Sequence, residues 1–223
     1  MTALVATPGF ALKPRLRGWL HFWAFVVSFA TGATLVTLSA LEGTRAVIGT
    51  SIYAATVSLL FGTSALYHRR TWAARGRSVM KRLDHSMIFV FIAGTYTPFA
   101  LLVMPRRVGV VILSIVWSGA LAGIVVKQAW IRAPRWISVP PYVALGWVAI
   151  FVLPPMLHHA GVAALVLLLV GGVIYSFGAI VYGTRRPDPW PQTFGYHEVF
   201  HLCTIVAALC HYIAIWFAVY SGH

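Results

Sequence analysis

Seven runs of about 20 mostly apolar residues, at 18–41, 47–67, 84–104, 108–131, 136–156, 160–183 and 197–220, take up most of this chain. At ~1.5 Å rise per residue each is long enough to cross a hydrocarbon layer of ~30 Å. Inside such a layer every backbone N–H and C=O must be paired within the protein, which leaves α-helices and closed barrels as the spanning structures. The runs are continuously apolar and do not alternate, so they predict an all-α fold. The expected architecture is a seven-transmembrane helix bundle in one domain, residues 1–223. With 60% hydrophobic and 9% charged residues, the chain cannot build a water-soluble surface.

The formal charge of +13 is a topology signal here and not a nucleic-acid footprint, because Lys and Arg sit in short stretches between apolar runs. With the amino terminus in the cytoplasm, the inside collects Lys13, Arg15, Arg17, Arg69, Arg70, Arg75, Arg77, Lys81, Arg82, Lys127, Arg132, Arg135, Arg185 and Arg186. Only Arg45, Arg106 and Arg107 fall outside. The positive-inside rule therefore predicts a cytoplasmic amino terminus and an external carboxyl terminus, and the expected location is the plasma membrane, as a multi-pass protein. The first run follows basic residues as a signal peptide does, but it exceeds the 7–15 residue h-region and reads as an uncleaved helix. The longest loops, about 69–83 and 184–196, are expected on the inside. Cys203 and Cys210 lie seven residues apart on one helix, a rise of about 10 Å, too far for a disulfide.

Ionisable residues in a membrane span are costly and point to function. His68 ends the second run, Asp84 and His85 begin the third, and His197, Glu198 and His201 begin the seventh, so all six are expected at one depth on the cytoplasmic side. His197 and His201, at i and i+4, project from one helical face. With His68 they supply the three imidazoles of a zinc site whose fourth position is left to water. Asp84 and Ser64, one turn from His68, are placed to hydrogen-bond that water. His211 shares the face of His197 but lies about 21 Å deeper, out of reach of the same ion, and is expected to be a buried partner of another polar side chain. His85 points about 100° away from Asp84 and packs elsewhere. His21, His158, His159 and His223 read as headgroup or packing residues.

Residues 197–201 also match H-E-x-x-H, in which two histidines bind zinc and the glutamate is a general base. The competing reading makes Glu198 a first-turn residue favoured by the positive end of the helix dipole. Spacing alone leaves both open.

Ser64-Ala-Leu-Tyr-His68, Leu83-Asp84-His85-Ser86, Gly94-Thr95-Tyr96-Thr97-Pro98 and His197-Glu198-Val199-Phe200-His201 followed by His211-Tyr212 resemble, in combination, the haemolysin III proteins of the progestin and adipoQ receptor superfamily. The resemblance covers nearly the whole chain. It implies seven spans with an inside amino terminus, zinc on His68, His197 and His201, and Asp84 and Ser64 beside the zinc-bound water. It also implies a zinc-dependent hydrolase acting on a lipid amide or ester, with ceramidase-like chemistry, in membrane-lipid homeostasis. The alternative is a non-enzymatic membrane sensor with a structural zinc. An intramembrane metalloprotease or a haemolysin is a weaker reading.

Overall fold

The computed structural model describes residues 14–131 and 133–221. Lys13, Arg132 and His223, which entered the readings above, lie outside the described residues. Among those described the chain is helical, with one isolated bridge between Trp190 and Phe194. The helices are α1 (Trp19–Ser39), α2 (Thr44–Arg69), α3 (Ala74–Leu102), α4 (Arg106–Ala129), α5 (Arg135–Ser138), α6 (Pro140–Trp147), α7 (Leu153–Thr184) and α8 (Tyr196–Val219). Six of them, α1 to α4, α7 and α8, are long and apolar enough to cross a membrane.

Two elements differ from the hydropathy reading. The expected loop 69–83 shrinks to a few residues because α3 begins at Ala74. Arg75, Arg77, Met80, Lys81, Arg82 and Leu83 are good helix formers, so the helix runs on beyond its apolar stretch. The fifth run, 136–156, is not one helix. It is divided among α5, α6, a 3-10 turn at Val148–Phe151 and the first residues of α7. Pro140, Pro141, Pro154 and Pro155 each remove a backbone donor, so a ladder can restart after them but not pass through. Inside α7 the backbone leaves helical conformation at Gly161, with φ 81° and ψ 176°.

That break reverses the chain. Arg135 donates to the Tyr182 carbonyl at 3.0 Å and the Trp147 indole to the Ser176 hydroxyl at 3.0 Å, so the fifth segment runs antiparallel to the main part of α7. Tyr142 donates to the His85 carbonyl at 3.3 Å while Tyr96 reaches the Leu145 carbonyl at 3.2 Å, so the same segment runs parallel to α3. Its carbonyls at Leu145 and Gly146 both accept from the Tyr96 hydroxyl.

Consecutive helices pack against each other from α1 to α4, and α7 packs along α8, which also meets α1, α2 and α3. In a bilayer such contacts depend on small residues that let backbones approach. Gly94 of α3 shows how tight this is: a Cβ there would lie 2.1 Å from Thr56 Oγ1 and 2.8 Å from Thr56 Cβ on α2. A Cβ on Gly172 of α7 would meet nothing within 4 Å. Gly94→Leu is therefore expected to cost about 1–3 kcal/mol through overpacking, and Gly172→Leu to be near neutral, as read from thermal midpoints of the two variants in detergent.

Candidate metal centre

Two helices bring three imidazoles to one point. His68 lies in the last turn of α2, and His197 and His201 lie in the first two turns of α8. One nitrogen from each falls within 4.8 Å of the others. The Nε2 atoms of His68 and His197 are 3.2 Å apart, close to the ~3.3 Å that two nitrogens on one tetrahedral zinc would have at ~2.05 Å bonds. The donor set is all-imidazole, which suits zinc and neighbouring divalent metals, so these side chains can hold such an ion with small rotations. The start of α8 is fixed by its cap. The first N–H groups of α8 are met by Asp188, whose Oδ1 accepts from Tyr196 N at 2.7 Å, and by Glu198, whose Oε2 accepts from Gly195 N at 2.9 Å.

Asp84 stands beside the cluster, its Oδ2 3.8 Å from His68 Nε2 and 3.5 Å from His85 Nδ1. The Ser64 hydroxyl, one turn before His68, lies near the Asp84 carboxylate, and both residues line the same cavity. His85, expected to pack elsewhere, lines the same cavity beside Asp84, with its Nδ1 2.8 Å from the Lys81 carbonyl one turn back. His211 is buried with Nε2 3.2 Å from the Leu168 carbonyl, so its partner is a backbone oxygen. His158 and His159 are exposed and stand apart from the cluster. Cys203 and Cys210 are free thiols.

Glu198 turns away from the histidines. One carboxylate oxygen is paired with the Arg17 guanidinium, the other accepts from Gly195 N, and the side chain is 0% exposed. The metalloprotease reading needs this carboxylate free for a water, whereas the geometry commits both oxygens to structure. The first-turn reading fits.

His21, expected as a headgroup or packing residue, packs directly on the cluster. It is 3% exposed and its ring stacks on His201 with centroids 3.7 Å apart and planes 9° from parallel. Its position three residues into the first run put it at the depth of the other histidines, and that was the available signal. Gly18, at φ 81°, lets the start of α1 lie against the end of α2: a Cβ there would lie 2.9 Å from His68 Cβ.

A cavity of about 330 Å³ opens from the cluster into the bundle. Ser64, Asp84, His197 and His201 line one part of it, and Phe91, Ile92, Phe99 and Leu168 line its deeper part. This is the size of a small-ligand pocket, polar at one end and apolar at the other.

The sequence model of a family described as haemolysin-III related matches residues 11–212. Hemolysin-3 homolog of Bacillus subtilis (strain 168) is 31% identical over 171 residues, covering 77% of this chain and 77% of that protein. Hemolysin-3 of Bacillus cereus is 29% identical over 200 residues, covering 89% and 88%. Progestin and adipoQ receptor-like protein 1 of Caenorhabditis elegans is 27% identical over 194 residues, covering 74% of this chain and 42% of that protein.

Elemental analysis of purified protein tests the cluster. One equivalent of zinc is expected in the wild type, falling to near none in His68→Ala and in His197→Ala, with Glu198→Gln retaining metal. A second outcome follows from the buried ion pair: Arg17→Ala leaves Glu198 unpaired and is expected to cost on the order of 3 kcal/mol, against little for Arg15→Ala, in thermal unfolding of the two variants.

Proposed function

The chain belongs to the haemolysin-III related family, and from that premise we propose that it is a zinc-binding, multi-pass protein of the plasma membrane that hydrolyses an amide or ester bond of a membrane lipid. The reading includes seven crossings, the fifth made jointly by α5, α6, the 3-10 turn and the start of α7, with the amino terminus and the histidine end in the cytoplasm. The antiparallel run of that segment against α7 supports the count, and the positive-inside rule supports the direction.

The observation that carries the hydrolase reading is the union of three convergent imidazoles, an adjacent carboxylate and an apolar cavity in one continuous space. A structural staple would need the histidines but not the cavity. Zinc, when bound by His68, His197 and His201, supplies a Lewis acid that polarises a carbonyl and acidifies water. Asp84 is the group placed to take a proton at its Oδ2, which faces the histidines. Ser64 orients that carboxylate by hydrogen bonding in the resting state and can turn its O–H toward an oxyanion as charge develops. The aromatic and aliphatic wall of the cavity excludes water and takes the acyl chain. A role in membrane-lipid homeostasis follows from such a substrate.

The second reading is a non-enzymatic sensor in which zinc staples α2 to α8, and the specific observation in its favour is that the three histidines come from just these two helices. Asp84→Asn separates the two. For the hydrolase, the variant is expected to keep zinc and fold while losing 10²-fold or more of turnover on a panel of acylated lipids. Absence of turnover of every lipid by zinc-loaded wild type would sink the hydrolase, and a cellular phenotype unchanged by Asp84→Asn would favour the sensor.

A further inference from the structure

The cavity carries a second chemical feature that the hydrolytic centre does not use. Lys81 of α3, Lys127 of α4 and Arg135 of α5 all line it. The chain has four acidic residues against 17 basic ones. Glu198 is committed to Arg17 and Gly195, and Asp188 is exposed in the loop before α8, bonded to Tyr196 N. Glu42 follows the far end of α1, about 30 Å from His21 along the helix. Asp84 lies against His68 and His85. Among the described residues no carboxylate forms an ion pair with Lys81, Lys127 or Arg135.

Their surroundings are neutral. Arg135 donates to the Tyr182 carbonyl and the Tyr196 hydroxyl, both at 3.0 Å, and its guanidinium lies 4.6 Å from the Tyr182 ring centroid. Such contacts orient a guanidinium without cancelling its charge. Lys127 is only 5% exposed. Among the described residues it makes no hydrogen bond, and its Nζ has the Tyr142 ring at 5.8 Å. Lys81 stands within electrostatic range and repels it. Snorkelling to the membrane surface would explain Lys81 and Arg135, whereas Lys127 has little exposed surface and lines the cavity. Burying like charges without counter-ions is expensive, and a fold keeps them where an anion arrives to share them.

From this we infer that the Lys81, Lys127 and Arg135 end of the cavity receives the phosphate-type anionic head group of an amphiphile whose acyl tail occupies the apolar part. Lys81 and Asp84 are three residues apart on α3, one turn, so the bond presented to the centre lies close to the head group and not far down the tail. The substrate class is an acyl lipid bearing a phosphate next to its amide or ester. As a statement about substrate this rests on the hydrolase reading. As a statement about binding it does not.

The test is binding of 1-oleoyl lysophosphatidic acid, 1-oleoyl monoacylglycerol and inorganic phosphate to the purified full chain in detergent, with and without chelator. The phosphate-bearing lipid is expected to bind about ten-fold or more tightly than its neutral counterpart in both conditions. Lys81→Gln/Lys127→Gln should erase the difference, and Lys81→Arg/Lys127→Arg should keep it. Equal affinities for the two lipids in the wild type would overturn the proposal, with no variant needed. So would a preference that survives in the double glutamine variant, or one that vanishes with chelator. Inorganic phosphate competing as well as the lipid would overturn the assignment of the tail. Because the readout is affinity, a protein that cleaves neither lipid still gives a clear answer on binding, and that lack of cleavage counts against the hydrolase alone.

Discussion

The pair between Arg17 and Glu198 is the interaction on which the histidine end of the bundle depends. Glu198 is wholly buried, and a carboxylate there is tolerable only with its charge met. The pair ties the start of α1 to the first turn of α8, elements far apart in sequence. His21, four residues after Arg17, and His201, three after Glu198, are then brought ring against ring. On the other side of His201 stand His68 and His197. One charge pair thus sets the register of two helices, and the cap that Glu198 makes with Gly195 sets where the second of them begins.

Much of this was legible in the sequence, for physical reasons that can be named. The bilayer sorts residues by depth, so apolar run length and the distribution of lysine and arginine placed His68, Asp84, His197 and His201 at one end, and i, i+4 spacing put the last two on one face. These residues do converge. What hydropathy could not show is where a helix continues outside the lipid, which is why α3 starts ten residues before its apolar run. It also could not show that the prolines of the fifth run break it, since they cost helicity without lowering the mean apolar character much. Glu198 was undecidable because its partner lies 181 residues away, and for His21 the packing was expected but not its partner, His201, because spacing does not reveal neighbours from another helix.

The polar inventory of the cavity divides in the same way. Histidines and Asp84 announced themselves by type and spacing, whereas Lys127 looked like one more topology-setting charge at a helix end. Only the fold shows that Lys127 has little exposed surface and lines the same cavity as Lys81 and Arg135. The result is a chamber with three chemical zones: cations at one side, histidines and a carboxylate near them, and an apolar depth.

The broken fifth segment couples two distant parts of the sequence. Where the helix passes into the 3-10 turn, the carbonyls of Leu145 and Gly146 accept a donor from the Tyr96 hydroxyl of another helix. In hydrocarbon there is no water to replace that donor. Position 96 is thus bound to the backbone irregularity and not to any side chain facing it. A homologue that straightened the segment would release the tyrosine to drift, while one that keeps the prolines must keep a hydroxyl at that height. The break in the helix is in effect written twice, once in the prolines and once in a tyrosine some fifty residues earlier.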